Sequence, residues 1–343
     1  RKSKKLQLHH IYKELSKARL SALVVGSAAG GFLLAGAPLS LSTGASVAAL
    51  GVGTFLCSAS ANTFNQVYET KTDGRMARTR TRPLPSGRIS VEHAAGFGVA
   101  SGVAGTALLC VVNSPLVAAL GAANILLYAG VYTPLKQVST LNTTVGAVVG
   151  AIPPLMGWGA AAALMNPGLA AAGAPWLGAA CLGLPDPWLL AGVLFAWQYP
   201  HFLSLSYLHR RDYASGSHVM HTVVDPSGGV ASRLAVAGGA VLTALPLASV
   251  ALGAATPWLA VETLVLNGYA MRQMAVFMKD VNEKNARAVF RTSLWYLPVL
   301  MALMVAHSTH QNREDSPVNQ VPAQSKATPA VVVAAAQAAE SST

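Results

Sequence analysis

Three oxygen-bearing side chains recur every fourth residue early in the chain: Asn65, Glu69 and Asp73. In an α-helix this spacing stacks them on one face, about 6 Å apart per step. Mg²⁺ prefers oxygen ligands and completes its shell with water and phosphate oxygens. This oxygen column therefore predicts a magnesium site. For Glu69 or Asp73 taken singly, a polar helix end beside a positive loop explains the residue equally well.

A basic loop follows the oxygen column directly. Its arginines are suited to bind the negative charge on a substrate that a bound metal does not neutralise. The polar face also extends inward through Ser58 and Asn62. A helix in lipid must turn such a face toward a cavity or toward other protein. The arginines of this loop are Arg75, Arg78, Arg80 and Arg82.

A second polar cluster follows the sixth apolar segment. If the helix continues there, Asp212 lies at the membrane rim and His201 lies about 16 Å deeper, at 1.5 Å per residue. Arg210 and Arg211 flank the rim. His201 leaves two roles open. It either bonds a carbonyl freed by Pro200, or it contacts a polar or metal-bearing group of a substrate.

A third polar stripe lies on the fourth apolar segment, where Asn124, Tyr128, Tyr132 and Lys136 follow one another at i, i+4 spacing. Lys136 then ends at the same rim as the other two clusters if the helices close into a bundle. The tyrosines fit packing between helices as well as they fit contact with a substrate.

Composition places these clusters in a membrane protein. Of the 343 residues, 52% are hydrophobic and only 11% are charged, whereas soluble domains carry roughly a quarter charged residues. The net charge of +11 comes from loops between apolar segments, so membrane topology explains it better than nucleic-acid binding. The three cysteines show no metal-binding spacing and are expected to pack as small apolar side chains: Cys57, Cys110 and Cys181.

Apolar segments of nearly spanning length predict an all-α, polytopic membrane bundle of about nine transmembrane helices. Lys and Arg lie in alternate loops, and the other connections, near 39–43, 113–115, 164–186 and 252–256, carry none. The positive-inside rule then places the N-terminus and the polar clusters on the inner side. The predicted spans are 20–38, 44–66, 93–112, 116–134, 142–163, 187–208, 230–251, 257–278 and 290–307.

The sequence divides into three parts. Residues 1–19 are basic with interleaved apolar residues, which is typical of an amphipathic helix on an anionic lipid surface. Residues 20–307 form the membrane domain. Residues 308–343 are polar and then Ala/Val-rich, and they are expected to form a disordered tail.

The segment NQVYETKTDGRMARTRTRPLPSG resembles the first acidic motif of the UbiA-type intramembrane prenyltransferases. Tyr132–Trp158 and Trp197–Tyr213 resemble the branch of that superfamily that farnesylates haem. The resemblance extends from Arg19 to His307. It implies a nine-helix bundle around a central cavity. The chain departs from the superfamily pattern at Leu208, where members that act on quinone precursors carry an acid. This departure favours the haem branch. It also puts a second fully coordinated metal in doubt.

The resemblance also implies residue roles. Mg²⁺ is expected at Asn65, Glu69, Asp73 and Asp212, which together with Lys136 form the catalytic set. The diphosphate is expected to contact Arg78, Arg82, Lys136, Arg210 and Arg211. Haem is expected near His201, Tyr128 and Tyr132.

The implied reaction transfers a farnesyl group from farnesyl diphosphate to the vinyl group of haem b. The expected product is haem O, a precursor of haem A for cytochrome c oxidase assembly, with hand-over to a haem A synthase. The resemblance favours a mitochondrial inner membrane, with the rim on the matrix side, over a bacterial inner membrane. The alternatives are a UbiA-type enzyme for a quinone precursor, a transporter, or a non-catalytic haem-binding protein.

Overall fold

The computed structural model describes residues 2–38, 40–166 and 182–312, which form helices joined by loops. Two of the long helices continue in a wider, π-helical turn, one over Leu109–Asn113 and the other over Leu127–Tyr132. The long helices are α1 (Lys2–Leu15), α2 (Ala18–Leu34), α3 (Leu41–Tyr68), α4 (Val91–Leu108), α5 (Pro115–Leu126), α6 (Asn142–Met165), α7 (Pro185–Leu208), α8 (Gly229–Ala251), α9 (Trp258–Lys279) and α10 (Glu283–Ala306).

Six helical segments of the described residues are long and apolar enough to cross a membrane: α3, α4 extended to Asn113, α5 extended to Leu135, α6, α8 and α10. The bent pair of Leu8–Leu15 and Ala18–Leu34, which meet at 50°, adds a seventh if it forms one span. Helices α7 and α9 have 24 and 22 residues, but they do not combine this length with the apolar composition that the six segments have. The predicted all-α membrane bundle is confirmed, and the count of about nine spans stays a prediction.

Glycines allow the central helices to touch through their backbones. A Cβ added at Gly157 of α6 would overlap the Ala28 carbonyl of α2. In the same way, a Cβ at Gly31 of α2 would overlap the Pro154 carbonyl of α6. Small residues let membrane helices approach closely and gain van der Waals contact. This contact fixes α2 against α6, and Trp158 beside it is fully buried.

The end of the bundle that carries the basic loops is called here the inner end. Helix α1 closes part of it, because Ile11 and Leu15 pack on Leu84 and Ala94. Gln66 of α3 donates a hydrogen bond to the Leu15 carbonyl at 2.8 Å, which ties the end of α1 to the bundle. The predicted interfacial segment is therefore a helix that packs on protein along one face.

The chain returns to the outer end after α10. Ser308 Oγ donates a hydrogen bond to the Leu34 carbonyl at 3.1 Å, and the Thr309 backbone N–H donates to Ala254 O at 3.2 Å. Residues 308–312, at the start of the predicted disordered tail, thus contact two loops of the bundle. The rest of that tail lies outside the described residues.

Candidate active site

A polar cavity opens at the inner end, between α3, α5 and the loops that follow α3 and α7. It holds about 540 Å³ of empty space, part of it open to solvent. We call it the inner cavity. The structure brings most of the predicted site residues to its wall: Asn65, Glu69, Asp73, Arg78, Arg82, Tyr128, Tyr132 and Lys136.

The oxygen column keeps its register although α3 ends within it. Helix α3 stops at Tyr68, and Thr70–Asp73 forms a further helical turn. The Glu69 N–H donates to Asn65 O at 2.9 Å, and the Asp73 N–H donates to Glu69 O at 2.7 Å. These i to i−4 bonds continue the helical path, so all three side chains stay on the cavity side. Asn65 and Asp73 are completely buried and Glu69 is 3% exposed.

Each member of the oxygen column contacts a basic side chain. Lys136 Nζ lies 3.0 Å from Glu69 Oε1, and Arg82 Nη1 lies 2.6 Å from Asp73 Oδ2. Burial raises the pKa of Glu69, but Lys136 and then Lys17 outweigh it, so the net shift is downward. Burial likewise lowers the pKa of Lys136, but Glu69 outweighs it and raises the pKa overall. Both side chains are therefore held in their charged forms.

The third contact involves a residue that the sequence did not single out. Lys17 lies at the break between α1 and α2, with φ of 45° and ψ of 53°. Its Nζ donates a hydrogen bond to Asn65 Oδ1 at 3.0 Å. Burial, assisted by the Arg82 and Lys136 cations, lowers the pKa of Lys17 to about 7. Among the described residues, the cavity wall carries four basic side chains, Lys17, Arg78, Arg82 and Lys136, but only two carboxylates, Glu69 and Asp73.

The oxygen column fits a divalent cation. Asp73 Oδ1 is buried and has no hydrogen-bond partner among the described residues, so it is a free carboxylate oxygen at the cavity wall. Within the described ranges, no three His, Cys, Asp or Glu side chains are grouped closely enough to hold a metal alone. Mg²⁺ commonly takes one or two carboxylates and fills its remaining positions with water and phosphate. The donors here match that partial shell rather than a closed cage.

The second predicted cluster separates, because α7 ends at Leu208 and Arg210–Ser215 forms a separate turn. Asp212 Oδ1 accepts a hydrogen bond from the Ala77 backbone N–H at 2.8 Å, and Arg78 Nε lies 3.7 Å from Asp212 Oδ2. Asp212 therefore positions the basic loop after the oxygen column, and it is not part of the cavity wall described above.

Arg210 and Arg211 do not join the inner cavity. Arg210 Nη1 donates to Tyr207 O at 2.7 Å and lies 3.4 Å from Glu283 Oε1. Arg211 is exposed. The interruption of α7 turns Arg210 toward the start of α10. The resemblance implied that both contact a diphosphate; neither residue lies at the wall of the inner cavity in this structure, and that role stays a prediction.

His201 lies within α7 and outside the cavity wall. Its Nδ1 is 2.8 Å from Ser293 Oγ, and its ring stacks on Trp197 with a centroid distance of 4.3 Å. The ring centroid of Phe290 lies 5.1 Å from that of His201. These contacts join α7 to α10, and they account for the partly buried imidazole without a substrate. The predicted haem contact stays a prediction.

The inner cavity contains another imidazole instead. His218 is 2% exposed, lines the cavity, and its Nδ1 has no hydrogen-bond partner among the described residues. Its loop is fixed by the Val219 N–H, which donates to Lys136 O at 2.6 Å. Burial lowers the pKa of His218 more than the Glu69 carboxylate raises it, so the neutral ring is favoured. Nothing in the sequence distinguished His218 from the neighbouring loop histidines, because the distinction arises from this tertiary contact.

The two tyrosines of the third stripe have different surroundings. Tyr128 donates to Asn62 Oδ1 at 3.3 Å, and its ring centroid is 5.1 Å from that of Tyr132. Lys136 Nζ lies 4.6 Å from the Tyr132 ring centroid, a distance suited to a cation–π contact. The pair therefore presents aromatic surface to the inner cavity next to its basic groups.

Comparison with known proteins identifies relatives of this chain. The model of the UbiA prenyltransferase family matches residues 23–311. The mitochondrial protoheme IX farnesyltransferase of Arabidopsis thaliana is 36% identical over 315 residues, 91% of this chain and 69% of that protein. The Homo sapiens protein of the same name is 39% identical over 307 residues, 89% of this chain and 64% of that protein. This chain spans about two thirds of the length of these two relatives.

Solved structures share the fold. A UbiA homologue from Aeropyrum pernix K1 aligns with a TM-score of 0.64 at 17% identity, covering 84% of this chain and 98% of that one. A UbiA homologue from Archaeoglobus fulgidus bound to DMAPP and Mg²⁺ aligns with a TM-score of 0.57 at 14% identity, covering 85% and 98%. The family match over residues 23–311 and the sequence relatives at 36% and 39% identity show that this chain belongs to the UbiA prenyltransferase family.

Proposed function

We propose that this protein transfers the farnesyl group of farnesyl diphosphate to the vinyl group of haem b, giving haem O. The observation that carries the proposal is the charge arrangement of the inner cavity, where buried carboxylates and an amide face an excess of basic side chains. A diphosphate with a divalent cation would complete that balance. The names of the Arabidopsis thaliana and Homo sapiens relatives support haem as the acceptor.

The basic residues of the inner cavity would bind the diphosphate, which is the leaving group of the reaction. Arg78, Arg82 and Lys136 lie around one opening, where a diphosphate entering it meets all three. Arg side chains bind phosphate oxygens in a forked geometry, and charge placed where it develops in the transition state lowers the barrier. When the C–O bond of farnesyl diphosphate breaks, the diphosphate leaves with the electron pair, and these cations stabilise it.

Asn65, Glu69 and Asp73 would hold Mg²⁺, which supplies further neutralisation of the leaving diphosphate. The Archaeoglobus fulgidus homologue bound to DMAPP and Mg²⁺ supports a requirement for this metal. In this structure Lys136 pairs with Glu69 and Arg82 pairs with Asp73. If the two carboxylates held the metal instead, these two cations would be available to bind the phosphate oxygens.

The aromatic side of the inner cavity receives the allylic cation. The rings of Tyr128 and Tyr132 present electron-rich faces there, which stabilise a nearby cation. The vinyl π electrons of haem b form the new C–C bond, and water adds to the haem-side cation and loses a proton. A cavity that excludes bulk water until this point protects the farnesyl cation from early capture.

The proposed location is the mitochondrial inner membrane, with the inner cavity on the matrix side. The mitochondrial names of the relatives and the basic loops around the cavity support it. Hand-over of haem O to a haem A synthase follows from the same proposal.

The direct test incubates the purified protein with haem b, farnesyl diphosphate and Mg²⁺, and detects the farnesylated haem by mass spectrometry. The matched variants are Asp73→Asn in the oxygen column and Glu92→Gln on the exposed first turn of α4. We expect product from the wild type and from Glu92→Gln, and at least a hundredfold less from Asp73→Asn. Prenylation of a quinone precursor instead of haem would favour the alternative acceptor. Solute uptake into liposomes without any prenyl transfer would favour a transporter.

A further inference from the structure

Lys17 occupies the position on Asn65 that a metal ion would need. Its ammonium nitrogen lies 3.0 Å from Asn65 Oδ1, while Asn65 Nδ2 donates to Thr133 Oγ1 at 3.1 Å. The amide is therefore oriented with its oxygen toward Lys17 and toward the cavity. A cation bound at that oxygen would stand within a few ångströms of the ammonium, where like charges repel strongly at low dielectric.

The backbone around Lys17 is built to hold this contact. Lys17 adopts the left-handed conformation, which is uncommon for a residue with a side chain and persists when its surroundings impose it. Gln66 Nε2 donates to Leu15 O, and Ser21 Oγ donates to Ser16 O at 2.7 Å, so the break is anchored from α3 and from α2. The break ends α1 and turns Lys17 into the inner cavity.

The surroundings of Lys17 also contain too few anions. Arg82 and Lys136, the two basic groups beside it, are already paired with Asp73 and Glu69. Lys17 has a neutral amide oxygen and the Tyr128 ring, whose centroid is 6.0 Å away. An anion that enters the cavity would find in Lys17 a positive group without a carboxylate of its own among the described residues.

We propose that Lys17 is a diphosphate-binding residue that guards Asn65: its ammonium holds Asn65 Oδ1 until a diphosphate draws it away and frees that oxygen for the metal. The metal and the diphosphate then bind cooperatively, because each removes an obstacle to the other. This inference rests on the proposed diphosphate chemistry of the inner cavity.

The test measures Mn²⁺ binding, by electron paramagnetic resonance, with and without inorganic pyrophosphate. Lys17→Met removes the ammonium, and Lys13→Met removes the same charge from the exposed face of α1 as a control. We expect Lys17→Met to bind Mn²⁺ alone about tenfold more tightly than the wild type, and to lose about tenfold of the tightening that pyrophosphate causes. Lys13→Met should match the wild type. Chelation in solution is the same for every variant and cancels in the comparison.

A second variant guards against misfolding. Lys17→Gln keeps an N–H donor for Asn65 Oδ1 but removes the charge, so it should lose the pyrophosphate effect with a smaller gain in Mn²⁺ affinity. If both variants keep the wild-type affinities and the wild-type pyrophosphate effect, the inference is overturned while the proposed function stands. A wild-type protein that binds neither Mn²⁺ nor pyrophosphate would overturn the proposed function, and this inference with it.

Discussion

The ion pair between Lys136 and Glu69 offers the sharpest test of how the inner cavity is held together. The two charged atoms lie 3.0 Å apart, and the side chains are 12% and 4% exposed. Removing one partner of a buried pair leaves an uncompensated charge, which costs about 3–5 kcal/mol. Because Lys17 also faces Glu69, we expect the lower limit, about 3 kcal/mol, for Lys136→Met.

Replacing both partners removes the problem. The double variant Lys136→Met/Glu69→Gln leaves no unpaired charge, so its loss of stability should be within about 1 kcal/mol of the wild type. The coupling free energy is the cost of the double variant minus the costs of both single variants. Its magnitude should therefore be at least about 2 kcal/mol, because the Lys136→Met cost alone exceeds that of the double variant by about that amount. The assay is the free energy of unfolding by SDS titration in mixed micelles, for the wild type, both single variants and the double variant.

The solvent-exposed pair of Arg88 and Glu14 is the matched control. It has a shorter contact, 2.6 Å, but its side chains are 39% and 30% exposed. Surface pairs contribute about 0–1 kcal/mol, so Arg88→Gln should cost less than 1 kcal/mol. If Lys136→Met costs no more than Arg88→Gln, or if the four-variant cycle is additive, the burial argument for the inner cavity fails.

Three further outcomes follow from the same structure. Arg88 holds the pKa of the Glu14 carboxyl below its usual value, so the ion pair stabilises the docking of α1 above about pH 4.5 and loses this effect as the pH falls further. The rate of hydrogen exchange in α1 should therefore rise on acidification, and it should rise less in Arg88→Gln. His201→Ala is expected to weaken haem binding more than pyrophosphate binding in equilibrium titrations. If both affinities fall equally, His201 only packs α7 against α10. Gly157→Ala should destabilise the bundle by about 1–3 kcal/mol because the added Cβ would overlap a backbone carbonyl of α2. The control Gly159→Ala places its Cβ at ordinary contact distance and should leave the stability unchanged. Equal unfolding midpoints for the two variants would refute the close contact between α2 and α6.

Local periodicity explains what the sequence predicted well. The oxygen column depends only on i to i−4 geometry, and the structure keeps that geometry even where α3 ends. Tyr128, Tyr132 and Lys136 also reach the inner cavity, although a π-helical turn over Leu127–Tyr132 replaces the i to i−4 geometry that the sequence predicted for them. The membrane bundle followed from apolar length and from the placement of charge in loops, which are both properties of single segments. The catalytic and binding roles assigned to these residues remain predictions.

Interruptions of the helices explain what the sequence did not predict. The break at Lys17 contains neither Gly nor Pro, and its left-handed residue is held by contacts from α3 that sequence spacing does not show. The end of α7 at Leu208 is equally unmarked, and it directs Arg210 toward Glu283 instead of the inner cavity. His218 lies in the cavity wall on a loop that is held by the hydrogen bond from the Val219 N–H to Lys136 O. In each case a tertiary contact decides where a locally ordinary residue lies.

The most direct measurement of the central claim is a structure of the protein with Mn²⁺ and a non-reactive farnesyl diphosphate analogue, with the metal located by its anomalous scattering. We expect a Mn²⁺ ion at bonding distance, about 2.0–2.6 Å, from oxygens of Asn65 and Asp73, with the diphosphate between it and Arg78, Arg82 and Lys136. An ion bound outside the inner cavity, or a diphosphate held by Arg210 and Arg211, would contradict it.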